Sequence, residues 1–173
     1  MNTVFLSIGT NIGERKKNLK QAIKMIETKV GFVKALSSVY ETEPWEMATN
    51  NLFFNMVFEI ETALNPQTLL QTLLSLEDKM GRSRENSGYS SRIIDIDILF
   101  FNDLIISDKN LVIPHPLIAH RRFVLVPLAE IAFQLIHPVL EKSIESLLES
   151  CADNCDVRKT GIIFHKSPLS AKL

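Results

Sequence analysis

The chain has 173 residues, and 46% of them are hydrophobic, which fits a single domain over residues 1–173 with a real core. The net charge of −1 excludes a strongly basic protein, so we expect no nucleic-acid partner. Every apolar run is shorter than the roughly 20 residues of a membrane span, and the N-terminus lacks a signal-peptide pattern, so we expect a cytoplasmic protein with no membrane partner.

The chain opens with a pattern typical of a strand followed by an amphipathic helix. Residues 3–9 are apolar and β-branched, which predicts a strand. Asn11 and Glu14 have the spacing of a capping box, so we expect the helix to begin there. Apolar residues recur at helical spacing up to Gly31, which predicts a helix with one face packed on a sheet.

Two further strands and a second helix follow. The segments 32–42 and 53–62 are rich in β-branched and aromatic residues, and each predicts a strand. Asn65 and Pro66 form a capping residue with a first-turn proline, so a helix is predicted to begin there. Leucines at helical spacing continue toward Gly81, which predicts the end of this helix.

The central part of the chain contains a polar segment and then a very apolar one. Residues 82–91 predict an exposed loop, and residues 93–101 predict a buried strand. Asn102 and Asp103 predict a short hairpin turn into residues 104–106.

Beyond the apolar strand the signals are weaker. Two short helices are predicted around 117–132 and 142–150, and a short strand around 161–164. The order strand, helix, strand, strand, helix, strand predicts an α+β fold with a ferredoxin-like βαββαβ core. We expect an antiparallel sheet with helices packed on it, and C-terminal additions over about 151–173 whose role the sequence does not indicate.

Two carboxylates interrupt the predicted buried strand. Side chains alternate faces along a strand, so Asp95 and Asp97 are expected on one face, with Ile94, Ile96 and Ile98 on the other. Adjacent carboxylates repel each other, and a buried charge is costly unless it is compensated. Mg²⁺ suits this pair, because it binds one or two carboxylates together with substrate phosphates. The alternatives are a hydrated strand end or a structural salt bridge.

Three arginines flank the carboxylates in sequence: Arg82, Arg84 and Arg92. Arginine binds phosphate through a planar fork of donors, so these residues together with the carboxylate strand indicate a metal-bound polyphosphate. The alternative is that they are solvated and pair with nearby acidic residues.

Several other kinds of site are not indicated. The sequence contains no P-loop, no protein-kinase signature and no Gly-x-Ser-x-Gly nucleophile motif. Cys151 and Cys155 have no zinc-binding pattern around them, so free thiols are favoured over a disulfide or a metal site.

The chain resembles the 6-hydroxymethyl-7,8-dihydropterin pyrophosphokinase family of folate biosynthesis. The resemblance rests on these segments, in family order: Gly9-Thr10-Asn11, Tyr40-Glu41-Thr42, Phe54-Asn55, Gly81-Arg82-Ser83-Arg84, Arg92 to Leu99, Val112-Ile113-Pro114-His115-Pro116, Arg121-Arg122-Phe123, and Pro127 to Ala132. It implies transfer of an intact pyrophosphoryl group from ATP to the hydroxymethyl group of the dihydropterin, with release of AMP.

The resemblance also implies roles for individual residues. Two Mg²⁺ ions would lie between Asp95, Asp97 and the ATP phosphates, and Arg82 and Arg92 would act on the phosphates during transfer. The implied ATP-binding residues are Leu70, Glu77, Arg84, Ile98, Leu111, Val112, His115 and Arg121. The implied pterin-binding residues are Thr42, Glu43, Trp45, Phe53, Asn55 and Phe123, with Phe53 and Phe123 stacked on the two faces of the pterin.

The sequence departs from the family pattern at Ser90-Ser91, where Gly-Pro is usual, and at Tyr89 and Pro116, where Trp and Tyr occur. Two alternative functions stay open from the residues alone. One is another metal-dependent phosphotransferase or nucleotidyltransferase on the same frame, and the other is a non-catalytic binding module. We expect small-molecule partners, ATP and the dihydropterin, and a monomer, although the sequence does not give the oligomeric state.

Overall fold

The computed structural model describes residues 1–45, 50–81 and 93–165. The polar segment 82–91 and three predicted site residues lie outside this description: Arg82, Arg84 and Arg92. Within the described ranges, no helix is both long enough and apolar enough to cross a membrane.

The described strands are β1 (Asn2–Thr10), β2 (Phe32–Leu36), β3 (Tyr40–Thr42), β4 (Phe53–Thr62), β5 (Asp95–Phe101), β6 (Ile106–Asp108), β7 (Leu111–Ile113) and β8 (Val157–Lys159). The helices are α1 (Arg15–Lys29), α2 (Pro66–Lys79), α3 (Arg122–Ala132) and α4 (Ile144–Glu149), and a 3₁₀ turn covers Ile118–His120.

The main sheet has the strand order β5-β1-β4-β3-β8, and β2 also pairs with β4. All of these pairings are antiparallel. The predicted strand-helix-strand-strand-helix-strand order with an antiparallel sheet is therefore confirmed, with β2 and β3 together taking the place of one predicted strand.

Helices cover both faces of this sheet. On the first face, α1 buries Leu19, Ala22, Ile23 and Ile26 at the predicted helical spacing, and α2 packs beside it. On the second face, α3 and α4 enclose a separate apolar cluster centred on Phe100 and the α3 leucines. The central strands thus lie between two apolar layers, which buries them on both sides.

The predicted strand over 32–42 is interrupted at 37–39. Ser37 is buried there, its N–H donates to the Val57 carbonyl at 2.9 Å, and its Oγ accepts from the Val57 N–H at 2.9 Å. A side-chain hydroxyl thus replaces a backbone carbonyl in the ladder, which breaks the regular strand.

The predicted capping box at the first helix is wrong. The helix begins at Arg15 after Glu14, and among the described residues no side chain caps it there. Asn11 is instead buried, and its amide donates to the Asn51 carbonyl at 3.5 Å. The helix-start prediction at Asn65 is confirmed, because its side chain accepts from the Thr68 N–H at 2.9 Å.

The predicted hairpin from Asn102 into residues 104–106 is also wrong. Asn102 has a positive φ of 47°, and its Oδ1 accepts from the Thr3 N–H at 2.8 Å, so the chain turns away at the end of β5. The next strand, β6, pairs with β7 in a separate two-stranded sheet.

The C-terminal part differs from prediction in one helix and one strand. The predicted helix over 117–132 divides at Arg121, whose backbone is extended, and α4 covers most of the predicted 142–150. The strand predicted over 161–164 is wrong, because β8 lies earlier in the chain, while Ile162 and Phe164 pack on the first apolar layer. Cys151 and Cys155 are free thiols.

Candidate active site

A row of neighbouring residues crosses the sheet at one end of its α3-covered face. Asp95 on β5 lies opposite Gly9 on β1, Gly9 lies opposite Asn55 on β4, and Asn55 lies opposite Tyr40 on β3. Residues that are directly opposite across strands project to the same face of a sheet. Asp97, two residues after Asp95, shares this face, as alternation along the strand predicts.

Gly9 creates room for the Asn55 side chain in this row. A Cβ atom at position 9 would lie only 2.8 Å from Asn55 Oδ1, so a larger residue would displace the amide. Asn55 is buried, and its Nδ2 donates to Thr42 Oγ1 at 2.7 Å. The amide is therefore held in one orientation before any ligand binds.

A β-bulge connects the aspartate strand to His115. The register of β1 against β5 shifts so that Leu6 faces Ile98 while Phe5 faces Phe100, which leaves Leu99 as an extra residue. The Leu99 carbonyl accepts a hydrogen bond from the His115 N–H at 3.0 Å. The bulge therefore fixes the His115 backbone next to the strand that carries the two carboxylates.

His115 is a neutral donor in this environment. Burial and, after it, Arg121 lower its pKa to about 4, although Asp95 acts in the opposite direction. Its Nδ1 accepts from the Leu117 N–H at 3.2 Å, so the ring proton of the neutral form is on Nε2. An N–H donor of this kind suits a phosphate oxygen.

Arg121 links the carboxylates to the aromatic part of the site. It is buried, and its Nη1 lies 4.0 Å from Asp97 Oδ2. The guanidinium carbon lies 4.8 Å from the centre of the Trp45 ring and 5.7 Å from that of Phe123. One cation thus contacts an acidic group and two aromatic rings, which holds it firmly at the start of α3.

The aromatic wall is formed by Trp45 and Phe123. Their ring centres are 6.5 Å apart with an angle of 53° between the planes. Phe53, the other predicted pterin-stacking residue, lines the same cleft from the beginning of β4.

One cleft brings together most of the predicted site residues: Thr42, Glu43, Trp45, Phe53, Asn55, Asp95, Asp97, His115, Arg121 and Phe123. Sequence reasoning missed Ser7, which lies opposite Asp97 and also lines the cleft. A small polar residue between Leu6 and Ile8 was the available signal.

Five predicted nucleotide-binding residues are not among the residues that line this cleft: Leu70, Glu77, Ile98, Leu111 and Val112. Ile98 and Leu111 belong to the apolar layer on the opposite face of the sheet. Glu77 is buried, and its Oε1 accepts from the Ile96 N–H at 2.7 Å, which attaches α2 to the aspartate strand. Their nucleotide contacts stay predictions.

The described residues contain no group of three or more His, Cys, Asp or Glu side chains that could hold a metal ion by itself. The donor set at Asp95 and Asp97 is two carboxylates on one face of a strand. That is the small set which Mg²⁺ uses when substrate phosphates and water complete its coordination, so the residues fit this ion.

The sequence model of the 7,8-dihydro-6-hydroxymethylpterin-pyrophosphokinase (HPPK) family matches residues 5–133. The chain belongs to this family. Membership favours the pyrophosphokinase prediction over both alternatives, which were another metal-dependent phosphotransferase or nucleotidyltransferase and a non-catalytic binding module.

Two relatives of similar length are named as pyrophosphokinases of a hydroxymethyl dihydropterin. The 2-amino-4-hydroxy-6-hydroxymethyldihydropteridine pyrophosphokinase of Bacillus subtilis is 40% identical over 135 residues, which cover 78% of this chain and 80% of that protein. Its namesake from Aquifex aeolicus is 37% identical over 145 residues, which cover 84% of this chain and 89% of that protein.

Other similar proteins are much longer than this chain. The folic acid synthesis protein FOL1 of Dictyostelium discoideum is 40% identical over 139 residues, and the chain spans 21% of its length. A crystal structure of HPPK-DHPS in complex with substrates superposes with a TM-score of 0.73 at 20% identity, over 86% of this chain and 43% of that one. This last likeness concerns the fold alone.

Proposed function

We propose that this protein transfers pyrophosphate from ATP to 6-hydroxymethyl-7,8-dihydropterin, which gives AMP and the pterin pyrophosphate in folate biosynthesis. The observation that carries the proposal is a single cleft with the Asp95 and Asp97 carboxylates at one side and an aromatic wall with a fixed amide at the other. Membership of the HPPK family supports the same reaction.

The acceptor half of the cleft suits a flat, polar heterocycle. We propose that the pterin stacks on Phe123 and Phe53, with Trp45 closing the wall. Asn55 and Thr42 would bind its polar edge, because their side chains are buried, mutually hydrogen-bonded and therefore already oriented. Glu43 lines the rim of the same cleft.

The carboxylate half suits a polyphosphate. Asp95 and Asp97 would hold two Mg²⁺ ions, which neutralise phosphate charge and orient the transferred group when bound. Beside them, Arg121 and the Nε2 proton of His115 would bind phosphate oxygens. The chain's own contribution is to position ATP and acceptor within one cleft, which is most of what phosphoryl transfer requires.

The proposal also includes further ATP contacts, which are predicted from the family pattern alone. Arg82 and Arg92 would stabilise the phosphates during transfer, with Arg84 assisting. The nucleoside would contact Leu70, Glu77, Ile98, Leu111 and Val112. For Glu77, its hydrogen bond to the Ile96 N–H supports an indirect role through the position of β5.

The test is product analysis with purified protein, Mg²⁺, ATP and the hydroxymethyl dihydropterin. We expect AMP and pterin pyrophosphate in equal amounts, and no AMP when the pterin is omitted or Mg²⁺ is chelated. Formation of ADP in place of AMP would overturn the proposal. The cytoplasmic location, the single domain and the monomeric state stay predictions.

A further inference from the structure

The start of α3 needs a hydrogen-bond acceptor that its own N-cap side chain does not supply. The first N–H groups of a helix need acceptors, and the N-cap side chain usually supplies one. Here the N-cap residue is Arg121, whose guanidinium is only a donor and is directed toward Asp97 and the Trp45 ring. Because a guanidinium cannot accept a hydrogen bond, Arg121 cannot cap its own helix with its side chain.

Asp153 supplies the acceptor from a distant part of the chain. Its Oδ2 accepts from the Arg122 N–H at 2.9 Å, across a separation of 31 residues. A carboxylate at this point also interacts favourably with the positive end of the helix dipole. The start of α3, between Arg121 and Phe123, is thus held by a residue well beyond the family-matched region that ends at 133.

Asp153 is itself held in place. Its Oδ1 accepts from the Cys155 N–H at 2.9 Å, and Oδ2 accepts from the Cys155 thiol at 3.4 Å. Burial and then Asp153 raise the pKa of this thiol to about 12, so Cys155 stays protonated and continues to donate. The carboxylate therefore has a fixed orientation toward the helix.

The segment after Asp153 is attached to the other side of the cleft. Strand β8 pairs with β3, which places Val157 opposite Thr42 and Lys159 opposite Tyr40. The Thr160 N–H then donates to the Val39 carbonyl at 2.9 Å. Thr42 is the hydroxyl partner of Asn55, so the pairing supports the strand that orients this amide.

Glu130 links α3 to both β3 and β8. It lies on α3 and accepts from the Ser38 N–H and hydroxyl, each at 2.8 Å, and from Tyr40 Oη at 3.0 Å. Lys159 on β8 donates to it at 2.8 Å. Although burial alone would raise the Glu130 pKa, these donors together lower it, so the carboxylate stays charged and keeps all of its partners.

We propose that residues 153–160, here called the C-terminal strap, position the acceptor-binding half of the cleft. Asp153 fixes the start of α3, with Arg121 and Phe123, while β8 fixes the strand that carries Thr42. The strap contacts no substrate in this proposal and acts through the residues that do. The role in substrate binding rests on the proposed function, whereas the effect on cleft geometry does not.

The experiment compares Asp153→Ala with Asp156→Ala in the full chain. Asp156 is a matched control, because it is an acidic residue of the same segment whose described partner is the exposed Arg158. Trp45 is the only tryptophan in the sequence, and it contacts Arg121 and Phe123, so its fluorescence reports on the start of α3 without any turnover.

We expect Asp153→Ala to shift the Trp45 emission and to raise the KM for the dihydropterin about fivefold, the equivalent of a lost helix cap. Asp156→Ala should leave both unchanged. Asp153→Asn keeps one acceptor oxygen, so its Trp45 emission and its dihydropterin KM should lie much closer to the wild-type values. If Asp153→Ala lowers only the Tm, with emission and KM equal to those of Asp156→Ala, the strap has a merely structural role and the proposal is overturned.

Two further variants apply if Asp153→Ala does not fold. Asp153→Asn and Lys159→Met each weaken one attachment, and each should raise the acceptor KM about twofold. An unchanged KM in both would overturn the proposal. Failure of the wild type to form AMP would instead contradict the proposed function, while the emission shift would still test the strap.

Discussion

The two faces of the central sheet differ in what they do, although the same strands form both. On the face covered by α1 and α2, Ile8 and Ile96 lie in a closed apolar layer. On the opposite face, the intervening residues Ser7, Gly9 and Asp97 line the cleft. A shift of one residue along a strand therefore separates side chains that stabilise the fold from those proposed to act on substrates.

The largest expected effect is on the cleft face, at Asp97. Asp97→Ala should lower kcat about a thousandfold, because several kcal/mol of metal-mediated stabilisation would be lost. The Tm should change little, since Asp97 is partly exposed. Steady-state AMP formation and thermal unfolding measure the two quantities. Asp103→Ala, an exposed carboxylate in the turn after β5, is the control and should match the wild type.

The matching substitution on the closed face is Ile8→Ala. Ile8 is fully buried, so the variant should lose about 3 kcal/mol of unfolding free energy through lost burial and the cavity left behind. Urea unfolding measures this loss. Below the unfolding transition, kcat per folded molecule should stay near that of the wild type. A large fall in kcat with unchanged stability would show that the two faces are not separate in function.

A smaller effect is expected at Asn55. Asn55→Ala should raise the dihydropterin KM about 30-fold, because a preoriented amide is lost and the buried Thr42 hydroxyl loses its donor. The KM for ATP is the internal reference and should move far less. Equal changes in both values would contradict an acceptor-specific role and would indicate general damage to the cleft.

The smallest effect is expected from the pH dependence of stability at His115. Its pKa in the folded protein, about 4, lies below its ordinary value of 6.5, so the unfolded chain binds more protons between these values. Acidification from pH 6.5 to 4 should therefore destabilise the wild type by about 1 kcal/mol more than His115→Gln. Urea unfolding across this range tests the difference, and parallel curves for the two proteins would exclude it.

Much of the fold could be predicted because its signals are local. Alternation in β5, helical spacing in α1 and the Asn65-Pro66 start of α2 each depend on residues close together in sequence. The same alternation assigned Asp95 and Asp97 to one face, and family motifs supplied the aromatic and amide positions that line the same cleft.

What the sequence did not predict depends on distant partners. The break at Ser37 depends on the hydrogen bond from the Val57 N–H to the Ser37 hydroxyl. The carbonyl of the bulged Leu99 accepts from the N–H of His115, which is 16 residues later in the chain. Asn11 failed as a cap because it contacts the segment at Asn51 instead. No local pattern around Asp153 indicates that it serves a helix beginning at Arg122. Long-range hydrogen bonds of this kind become visible only when the chain is folded.

The bond from the Arg122 N–H to Asp153 has a consequence for how the domain is delimited. The family model matches residues 5–133, yet the helix that carries part of the cleft receives its first acceptor from residue 153. During synthesis, α3 is complete before that acceptor exists. A fragment that ends at residue 133, where the family-model match ends, would contain every proposed contact residue and still leave the start of α3 exposed to water. The physical unit is longer than the segment that the family model matches.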